Sequence, residues 1–392
     1  MTNGAVANAG PPSSTTLADL RERGALFSTW PGLEAALPWR RLGNWPSPLE
    51  AHRLEPIGGR PFEVLVKRED LSADGYAGNK IRPLEVVFGA MARAGLHELW
   101  STGAYGSNHA LAAAVHAKRL GLRSGAVLWP QPWSQTAHDN LVATLAVTDE
   151  VRFVSSVAHM VPEALLVRRT RPAWVMPPGA ATPLGALGHA GAALELGHQL
   201  VAMGDRVDTI VLPIGSTCTT VGLLVGTELA FAAGLLPKRP AIVAVRVTPW
   251  PVTDTRRIVW MAARTERLLR RYFDEVGLAC PIPRRGLLSA ARAFDTRLEV
   301  VGDELGPGYG VPTAGGWRAI ATFLHERIRL DTTYSAKAAS HLLIRGERSR
   351  ERMVFWSTKS ALPLPTADAL PRPTPPIADL AARTWLESGP QA

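Results

Sequence analysis

The sequence predicts an α/β protein of two lobes, built from mostly parallel, twisted sheets with helices on both faces. Strand-like and helix-like segments alternate along most of the chain, which is typical of parallel sheets with crossover helices. At 392 residues the chain is long for one compact core, which favours two lobes. Segments rich in small and hydroxyl residues fall where a predicted strand passes into a predicted helix, the place where such folds bind ligands.

Hydrophobic spacing and breaker residues locate the individual elements. Ile81, Leu84, Val87, Phe88 and Met91 recur at helical spacing. We predict helices over residues 17–26, 80–94, 107–120, 134–146, 157–171, 183–203, 220–233, 254–276, 313–327 and 335–345. We predict strands over residues 61–67, 97–101, 125–129, 151–154, 173–176, 208–213, 241–247 and 353–356. Residues 1–16 and the segment from Leu362 onward are predicted to be tails, the second with one short helix.

Composition and charge are those of an ordinary globular protein. The chain is 46% hydrophobic and 20% charged, with a net charge of +9. Its basic residues are spread at helical spacing, which favours solvated helix faces over a nucleic-acid surface. No apolar run approaches the length of a membrane span, and the first residues lack the parts of a signal peptide. Two cysteines, Cys218 and Cys280, indicate neither a disulfide framework nor a metal site and favour a reducing cytoplasm.

Lys80 is distinctive because it follows a Gly-Asn turn at the start of a predicted helix. Only six of the 43 lysine and arginine residues are lysines. A lysine amine can form an imine once it is deprotonated, whereas a guanidinium cannot. Our hypothesis is that Lys80 carries pyridoxal 5′-phosphate (PLP) as a Schiff base. A solvated surface lysine is the plainer alternative when this residue is considered alone.

A loop of small residues after the strand predicted at 208–213 is the best candidate for a phosphate site. It contains Gly215, Ser216, Thr217, Cys218 and Thr219. Backbone N–H groups and the dipole of the following helix favour an anion there. A Ser/Thr helix cap is the alternative. The loop lacks the basic signature of a P-loop, which argues against a nucleoside triphosphate.

Ser107, Asn108 and His109 open another predicted helix after a strand. An asparagine there can bond a phenolic oxygen, and serine and histidine can bind a carboxylate or move a proton. A simple helix cap is again the alternative. Because this motif, Lys80 and the Gly215 loop all lie on strand-to-helix loops, we expect them to converge on one site.

Seven segments of the chain form an ordered set of motifs. They are 69–71 (EDL), 78–80 (GNK), 107–109 (SNH), 178–196 (PGAATPLGALGHAGAALEL), the Gly215 loop, 306–310 (GPGYG) and 331–338 (DTTYSAKA). Together they resemble the D-cysteine desulfhydrase / 1-aminocyclopropane-1-carboxylate (ACC) deaminase family, a branch of the tryptophan-synthase-β-like, fold type II PLP enzymes. The resemblance runs from about Gly43 to Pro363.

The resemblance implies a role for each candidate residue. Lys80 would hold PLP and remove the substrate α-proton, Asn79 would lie beside it, and Ser335 would lie near the pyridine nitrogen. The expected catalytic residues are Lys80, Ser107, Tyr309 and Tyr334. The expected cofactor-binding residues are Lys80, Asn79, Asn108 (to the ring oxygen), Gly215, Ser216, Thr217, Cys218, Thr219 and Ser335. The expected residues for the substrate carboxylate are Ser107, Asn108 and His109.

The resemblance also implies domains and assembly. We expect an N-terminal tail and irregular arm at 1–42, a large PLP-binding domain at 43–94 plus 200–363, a small domain at 95–199 and a Pro/Ala-rich tail at 364–392. A homodimer acting on a small amino acid is expected, with no metal, nucleic acid or membrane as partner.

Ser335 bears on the choice of reaction. A carboxylate beside the pyridine nitrogen would keep the ring protonated, whereas a hydroxyl holds that proton less firmly. In the resembled family ACC deaminases carry Glu at this position and desulfhydrases carry Thr, so Ser335 and His109 favour the desulfhydrase group. The implied function is α,β-elimination from a small amino acid to a keto acid and ammonia. The alternatives are β-replacement, racemisation, ACC deamination and a non-catalytic PLP-fold binding protein.

The chain departs from the resembled family in several places. Ala77 replaces a glycine, Gly106 a glutamine, and Thr217 and Cys218 replace loop glycines. The family's His-Thr-Gly-Gly near the C-terminus is Ser-Thr-Lys-Ser at 357–360. Because glycine permits close backbone approach, we expect a changed pocket wall at this last segment.

Overall fold

Two sheets, one of six strands and one of four, organise the computed structural model, which describes residues 15–362, 364 and 379–389. The strands are β1 (Leu49–Leu54), β2 (Phe62–Arg68), β3 (Glu98–Ala104), β4 (Arg123–Trp129), β5 (Glu150–Phe153), β6 (Trp174–Val175), β7 (Thr209–Ile214), β8 (Ala241–Arg246), β9 (Leu298–Val301) and β10 (Met353–Ser357). The helices are α1 (Leu17–Arg23), α2 (Ala25–Thr29), α3 (Ile81–Arg93), α4 (Asn108–Arg119), α5 (Gln135–Val147), α6 (Val157–Thr170), α7 (Pro183–Met203), α8 (Cys218–Ala232), α9 (Thr255–Glu275), α10 (Leu287–Asp295), α11 (Ala314–His325), α12 (Ser335–Arg348) and α13 (Leu380–Glu387).

Parallel pairing dominates both sheets. The larger sheet has the order β1-β2-β10-β7-β8-β9, and only its β1–β2 pair is antiparallel. The smaller sheet has the order β5-β4-β3-β6 and is parallel throughout. The predicted α/β class with mostly parallel sheets is therefore confirmed.

Among the strands and α-helices of the described residues, three were not predicted: β1, α10 and β9. Both strands lie at edges of the larger sheet, and their side chains are mostly half-buried or exposed. Edge strands need no continuous apolar run, so they leave a weak sequence signal. Helix α10 follows a segment rich in proline and arginine, which hides its start.

Helices α3 and α7 cross between the sheets. The boundaries predicted at 95 and 199 enclose every strand of the smaller sheet. Leu194 of α7, however, packs in the same apolar cluster as Ile210 of β7, and Leu84 of α3 packs with Leu99 of β3. Each helix thus joins the core of the other lobe, and the division into domains stays a prediction.

The ends of the chain are only partly described. Leu20 and Phe27 of the N-terminal arm are buried in the cluster that contains α7 and β7, so this part of the arm is packed. The predicted short C-terminal helix is α13. Most of the predicted tails, residues 1–14, 365–378 and 390–392, lie outside the described residues. Within the described residues, no helix combines the length and apolar character that a membrane span needs.

A fully buried ionic cluster joins β2, α3 and α7 beneath the end of β2. Lys67 Nζ donates to Glu195 Oε1 at 2.5 Å, and Arg82 Nη2 donates to Glu195 Oε1 and to Glu69 Oε1, both at 2.8 Å. The charges of Arg82 and Lys67 outweigh burial and hold the pKa of Glu195 below its usual value. The cluster therefore ties Arg82, two residues after Lys80, to the larger lobe.

The carboxyl ends of β2, β10 and β7 lie at one edge of the larger sheet because the three strands are parallel. Beyond that edge, Gly78 pairs with Lys359 as an antiparallel bridge, and Asn79 N donates to Thr358 O at 2.9 Å. Gly78 has φ +107°, and a Cβ at this residue would lie 2.9 Å from Thr358 O. Glycine is therefore required at 78 both for its backbone angle and for this close approach.

We expect Glu195→Gln to destabilise the fold by roughly 3–5 kcal/mol, because it leaves two buried cations without their shared carboxylate. Urea unfolding measures the free energy of unfolding. The control, Asp274→Asn, breaks an exposed 3.1 Å pair with Arg284 and should cost less than about 1 kcal/mol. Equal losses in the two variants would contradict a structural role for the cluster.

We expect Gly78→Ala to be more destabilising than Gly58→Ala. Gly58 also has a left-handed φ, +73°, but a Cβ added there would meet nothing within 4 Å. The expected cost of Gly58→Ala is therefore only the strain of the left-handed backbone angle, about 1 kcal/mol. Gly78→Ala adds a collision with the Thr358 carbonyl. Unfolding of both variants in urea provides the comparison, and similar losses would show that the Gly78–Lys359 approach is not constraining.

Candidate active site

Lys80 lies at the end of the turn that follows β2, at the position that caps α3. Burial lowers the pKa of its amine, and Cys218 opposes this shift to a smaller extent. Because burial favours the uncharged form, the amine is available as a nucleophile and as a base. This is the property that the sequence hypothesis required of Lys80.

Asn79 connects the Lys80 turn to α8. Its Nδ2 donates to Thr219 Oγ1 at 2.9 Å, and Thr219 Oγ1 lies 3.3 Å from His189 Nε2. Burial, followed by the charges of Lys80 and Arg82, lowers the pKa of His189 well below its usual value. His189 is therefore neutral and can accept a hydrogen bond from Thr219.

The Gly215 loop leaves the N-terminus of α8 open for an anion. Thr217 has φ +78° and provides no side-chain cap, so the first N–H groups of α8 have no partner within the helix. Arg257 of α9 donates to Thr217 Oγ1 at 3.4 Å, which adds a cation to the loop. A Cβ on Gly179 would lie 2.0 Å from Ser216 Oγ and 3.8 Å from Lys80 Nζ, so both side chains approach the same glycine.

Cys218 is buried, and its Sγ donates to Ala180 O at 3.3 Å. Burial raises the pKa of its thiol to about 12. It therefore stays protonated at neutral pH, which is consistent with a residue of the loop and not with a nucleophile.

The N-terminus of α4 holds the Ser107-Asn108-His109 motif. Ser107 Oγ caps the helix by accepting a hydrogen bond from Ala110 N at 3.2 Å. His109 is buried, and neither ring nitrogen has a partner within the described residues. Burial and then the charge of Lys80 lower the pKa of His109 to about 3. The neutral ring thus has one donor and one acceptor that are free for a ligand.

Asn108 Oδ1 accepts three hydrogen bonds from different parts of the chain. The donors are Tyr76 OH at 2.9 Å, Asn140 Nδ2 at 2.8 Å and Lys359 Nζ at 3.1 Å. Lys359 therefore reaches the predicted site from the segment where a changed pocket wall was expected.

Two tyrosines form a pair beside the Gly215 loop. The hydroxyls of Tyr309 and Tyr334 share a hydrogen bond of 2.5 Å, and the Tyr334 ring lies against Gly215. Burial raises the pKa of Tyr309 to about 12 and that of Tyr334 further above its usual value. Lys337 Nζ holds the loop of Tyr309 by donating to Leu305 O at 2.7 Å. Both tyrosines are therefore fixed and protonated.

Ser335 is engaged with a carboxylate. Its Oγ donates to Asp331 Oδ1 at 2.6 Å, and Asp331 also accepts hydrogen bonds from the backbone N–H groups of Thr333, Tyr334 and Ser335. Asp331 thus binds the backbone N–H groups that lead into α12 and orients the Ser335 hydroxyl.

Several candidate residues are brought together. Lys80 and Ser216 both approach Gly179, and Asn79 bonds Thr219. Tyr334 lies against Gly215 and bonds Tyr309. Their individual roles stay predictions. Sequence reasoning missed a second group of residues that contact this set: Tyr76, His189, Arg257, Asp331 and Lys359. Lys359 could have been found because lysines are rare in this chain, whereas Arg257 is one of many arginines on α9.

The site has the donor set that PLP requires. The open end of α8 with Arg257 suits the phosphate, the buried amine of Lys80 suits the aldehyde carbon, and the ring nitrogens of His109 have no partner among the described residues and are free to bond a ligand. The Asn108 Nδ2 group has no acceptor among the described residues and is free for the expected contact with the ring oxygen, whereas the Ser335 hydroxyl proton is already bonded to Asp331. The residues present therefore fit the cofactor.

Comparisons with known proteins agree with this geometry. Residues 40–358 match the family described as pyridoxal-phosphate dependent enzyme. The chain is 33% identical to nocardicin C-9′ epimerase of Nocardia uniformis subsp. tsuyamanensis. The matched region is 319 residues long and covers 79% of this chain and 90% of that protein.

Solved structures extend the comparison. The crystal structure of an ACC deaminase homologue is 26% identical, with a TM-score of 0.62, covering 83% of this chain and 93% of that one. A threonine deaminase from T.th. shares the fold, with 20% identity and a TM-score of 0.52 over 81% of this chain and 93% of that one. The protein is therefore a fold type II enzyme of the pyridoxal-phosphate dependent family, and PLP is its cofactor.

Proposed function

We propose that this enzyme is an amino-acid lyase of the D-cysteine desulfhydrase kind, which eliminates a β-substituent from a small amino acid and releases a keto acid and ammonia. The observation that supports it best is the pairing of a base with an acid. The buried amine of Lys80 is biased to its neutral form, and the Tyr309–Tyr334 pair is biased to its protonated form. An elimination needs one group to accept the α-proton and another to protonate the leaving group.

The substrate carboxylate is proposed to bind at the N-terminus of α4. The helix dipole favours an anion there. Burial and then the charge of Lys80 lower the pKa of His109 to about 3, so its ring is neutral, and its N–H has no partner among the described residues. Ser107 and Asn108 directly precede His109 on the same turn. Such binding would fix the α-carbon without adding a second positive charge close to Lys80.

Lys80 is proposed to hold the cofactor and to accept the α-proton. PLP, when bound, supplies the electron withdrawal that makes this proton removable. Gly215, Ser216, Thr217, Cys218 and Thr219 are proposed to bind the phosphate through backbone N–H groups and hydroxyls. Asn79 holds the Lys80 turn against this loop through Thr219.

Ser335 supports elimination over cyclopropane ring opening. In the resembled family, desulfhydrases carry a hydroxyl residue near the pyridine nitrogen and ACC deaminases carry a glutamate. The hydroxyl of Ser335 donates to Asp331 Oδ1 and accepts from Asp331 N, and it carries no formal charge that could hold a proton on the ring. The proposal therefore assigns Ser335 the role of a neutral ring contact.

Epimerisation or racemisation is the second candidate, and it is favoured by the 33% identity to nocardicin C-9′ epimerase. That reaction needs a proton returned to the opposite face of the α-carbon, and one of the protonated tyrosines could return it. Inversion leaves the β-substituent in place, so the two candidates differ in whether a keto acid forms.

Incubation of the PLP-loaded enzyme with D-cysteine, L-cysteine, D-serine and ACC in D₂O separates the candidates. We expect keto acid and sulfide from D-cysteine, and neither from the Lys80→Ala variant, which should also lose the visible absorbance of lysine-bound PLP. Lys118→Ala, at an exposed lysine of α4, is the matched control. If deuterium is incorporated with inversion and no substrate gives a keto acid, the reaction is racemisation and the elimination proposal is wrong.

We expect Tyr309→Phe to lower kcat for elimination by roughly 100-fold while KM changes little, because the hydroxyl acts on the leaving group. Tyr272→Phe, on α9 and outside the site, is the control for removing a tyrosine hydroxyl. Steady-state keto acid formation provides both constants. An unchanged kcat in Tyr309→Phe would remove this tyrosine from the proposed chemistry.

A homodimer in the cytoplasm remains part of the proposal. Light scattering of the purified protein should give about twice the 42.1 kDa of one chain.

A further inference from the structure

We propose, on the basis of the cofactor role proposed for Asn108, that Lys359 is a positioning residue that fixes the Asn108 amide and strengthens it as a hydrogen-bond donor to the ring oxygen of PLP. Lys359 occupies the first of the two glycine positions in the His-Thr-Gly-Gly segment of the resembled family. The Lys359 side chain is therefore a departure of this chain from the family pattern. The role proposed for it does not depend on which reaction the enzyme catalyses.

The backbone directs Lys359 into the site. Strand β10 ends at Ser357, and the bridge from Lys359 to Gly78 holds the next residues against the Lys80 turn. The side chain extends from there to α4 and α5, where Nζ donates to Asn108 Oδ1 at 3.1 Å and to Asn140 Oδ1 at 3.4 Å. No carboxylate forms an ion pair with it within the described part of the chain.

The contact with Lys359 determines which way the Asn108 amide faces. An ammonium can only donate, so the atom of Asn108 that meets it must be the oxygen. Tyr76 and Asn140 donate to that same oxygen. Three donors on one oxygen prevent the amide from rotating, and the Asn108 Nδ2 group is left without an acceptor in the described residues. It is therefore a fixed donor for a ligand.

The charge of Lys359 also polarises this donor. A hydrogen bond with a charged partner is stronger than a neutral one, and neighbouring hydrogen bonds strengthen each other in a buried site. Burial lowers the pKa of the Lys359 amine, and the charges of Asp331 and Asp139 oppose this shift to a smaller extent. A cation behind Asn108 should stabilise negative charge on the ring oxygen and make protonation of the bound cofactor harder.

Lys359→Met and Lys359→Gln in the PLP-loaded enzyme test this role by visible absorbance as a function of pH. We expect both variants to raise the apparent pKa of the spectral transition by about one unit, since a nearby positive charge is lost. Lys359→Arg, which keeps the charge, should stay close to the wild type. Lys118→Met, at the exposed end of α4, should leave the transition unchanged.

A double-mutant cycle with Asn108→Ala tests whether the effect passes through Asn108. We expect the Lys359→Met shift to shrink by at least half when Asn108 is already absent. An unchanged transition in Lys359→Met and Lys359→Gln would overturn the proposal, as would a full shift in the Asn108→Ala background. Thermal melting confirms that each variant is folded. The spectral readout needs no turnover, so it is independent of whether elimination is the reaction.

Discussion

The backbone approach of Gly78 to Lys359 is the constraint on which the site depends. It joins the turn after β2 to the segment after β10, and it is possible because residue 78 has no side chain. Lys80 follows this bridge by two residues on one segment, and the Lys359 side chain leaves from it on the other. Two lysines from distant parts of the chain are thereby carried by segments that lie against each other.

The two lysines are distinguished by their surroundings. Lys80 has burial as its main influence and only Cys218 opposing it, so its neutral form is favoured. Burial lowers the pKa of the Lys359 amine too, but two aspartates oppose this shift and Lys359 Nζ donates to two amide oxygens. The first environment suits a nucleophile and base, and the second suits a fixed hydrogen-bond donor. The buried Lys67–Glu195–Arg82 cluster below them adds rigidity, because it holds α3 to the larger lobe through charges that cannot be separated cheaply.

Sequence reasoning predicted the central parts of this arrangement because they depend on local pattern. Alternating elements, the Gly-Asn-Lys turn and the loops at Ser107 and Gly215 are all visible within a few residues, and the parallel sheets bring them together. Edge strands β1 and β9 were missed because they are only half-buried. The Lys359–Asn108 contact spans 251 residues, and no local pattern indicates where a side chain at that distance will point. A changed wall was expected from the lost glycines, but the new hydrogen bond was not.

Reduction of the PLP-loaded enzyme with borohydride, followed by peptide mass spectrometry, tests the central assignment most directly. Reduction makes the bond between the cofactor and its lysine permanent, so the labelled peptide identifies the residue. The account predicts a pyridoxyl label on Lys80 and none on Lys359. A label on Lys359, or no labelled lysine at all, would contradict it.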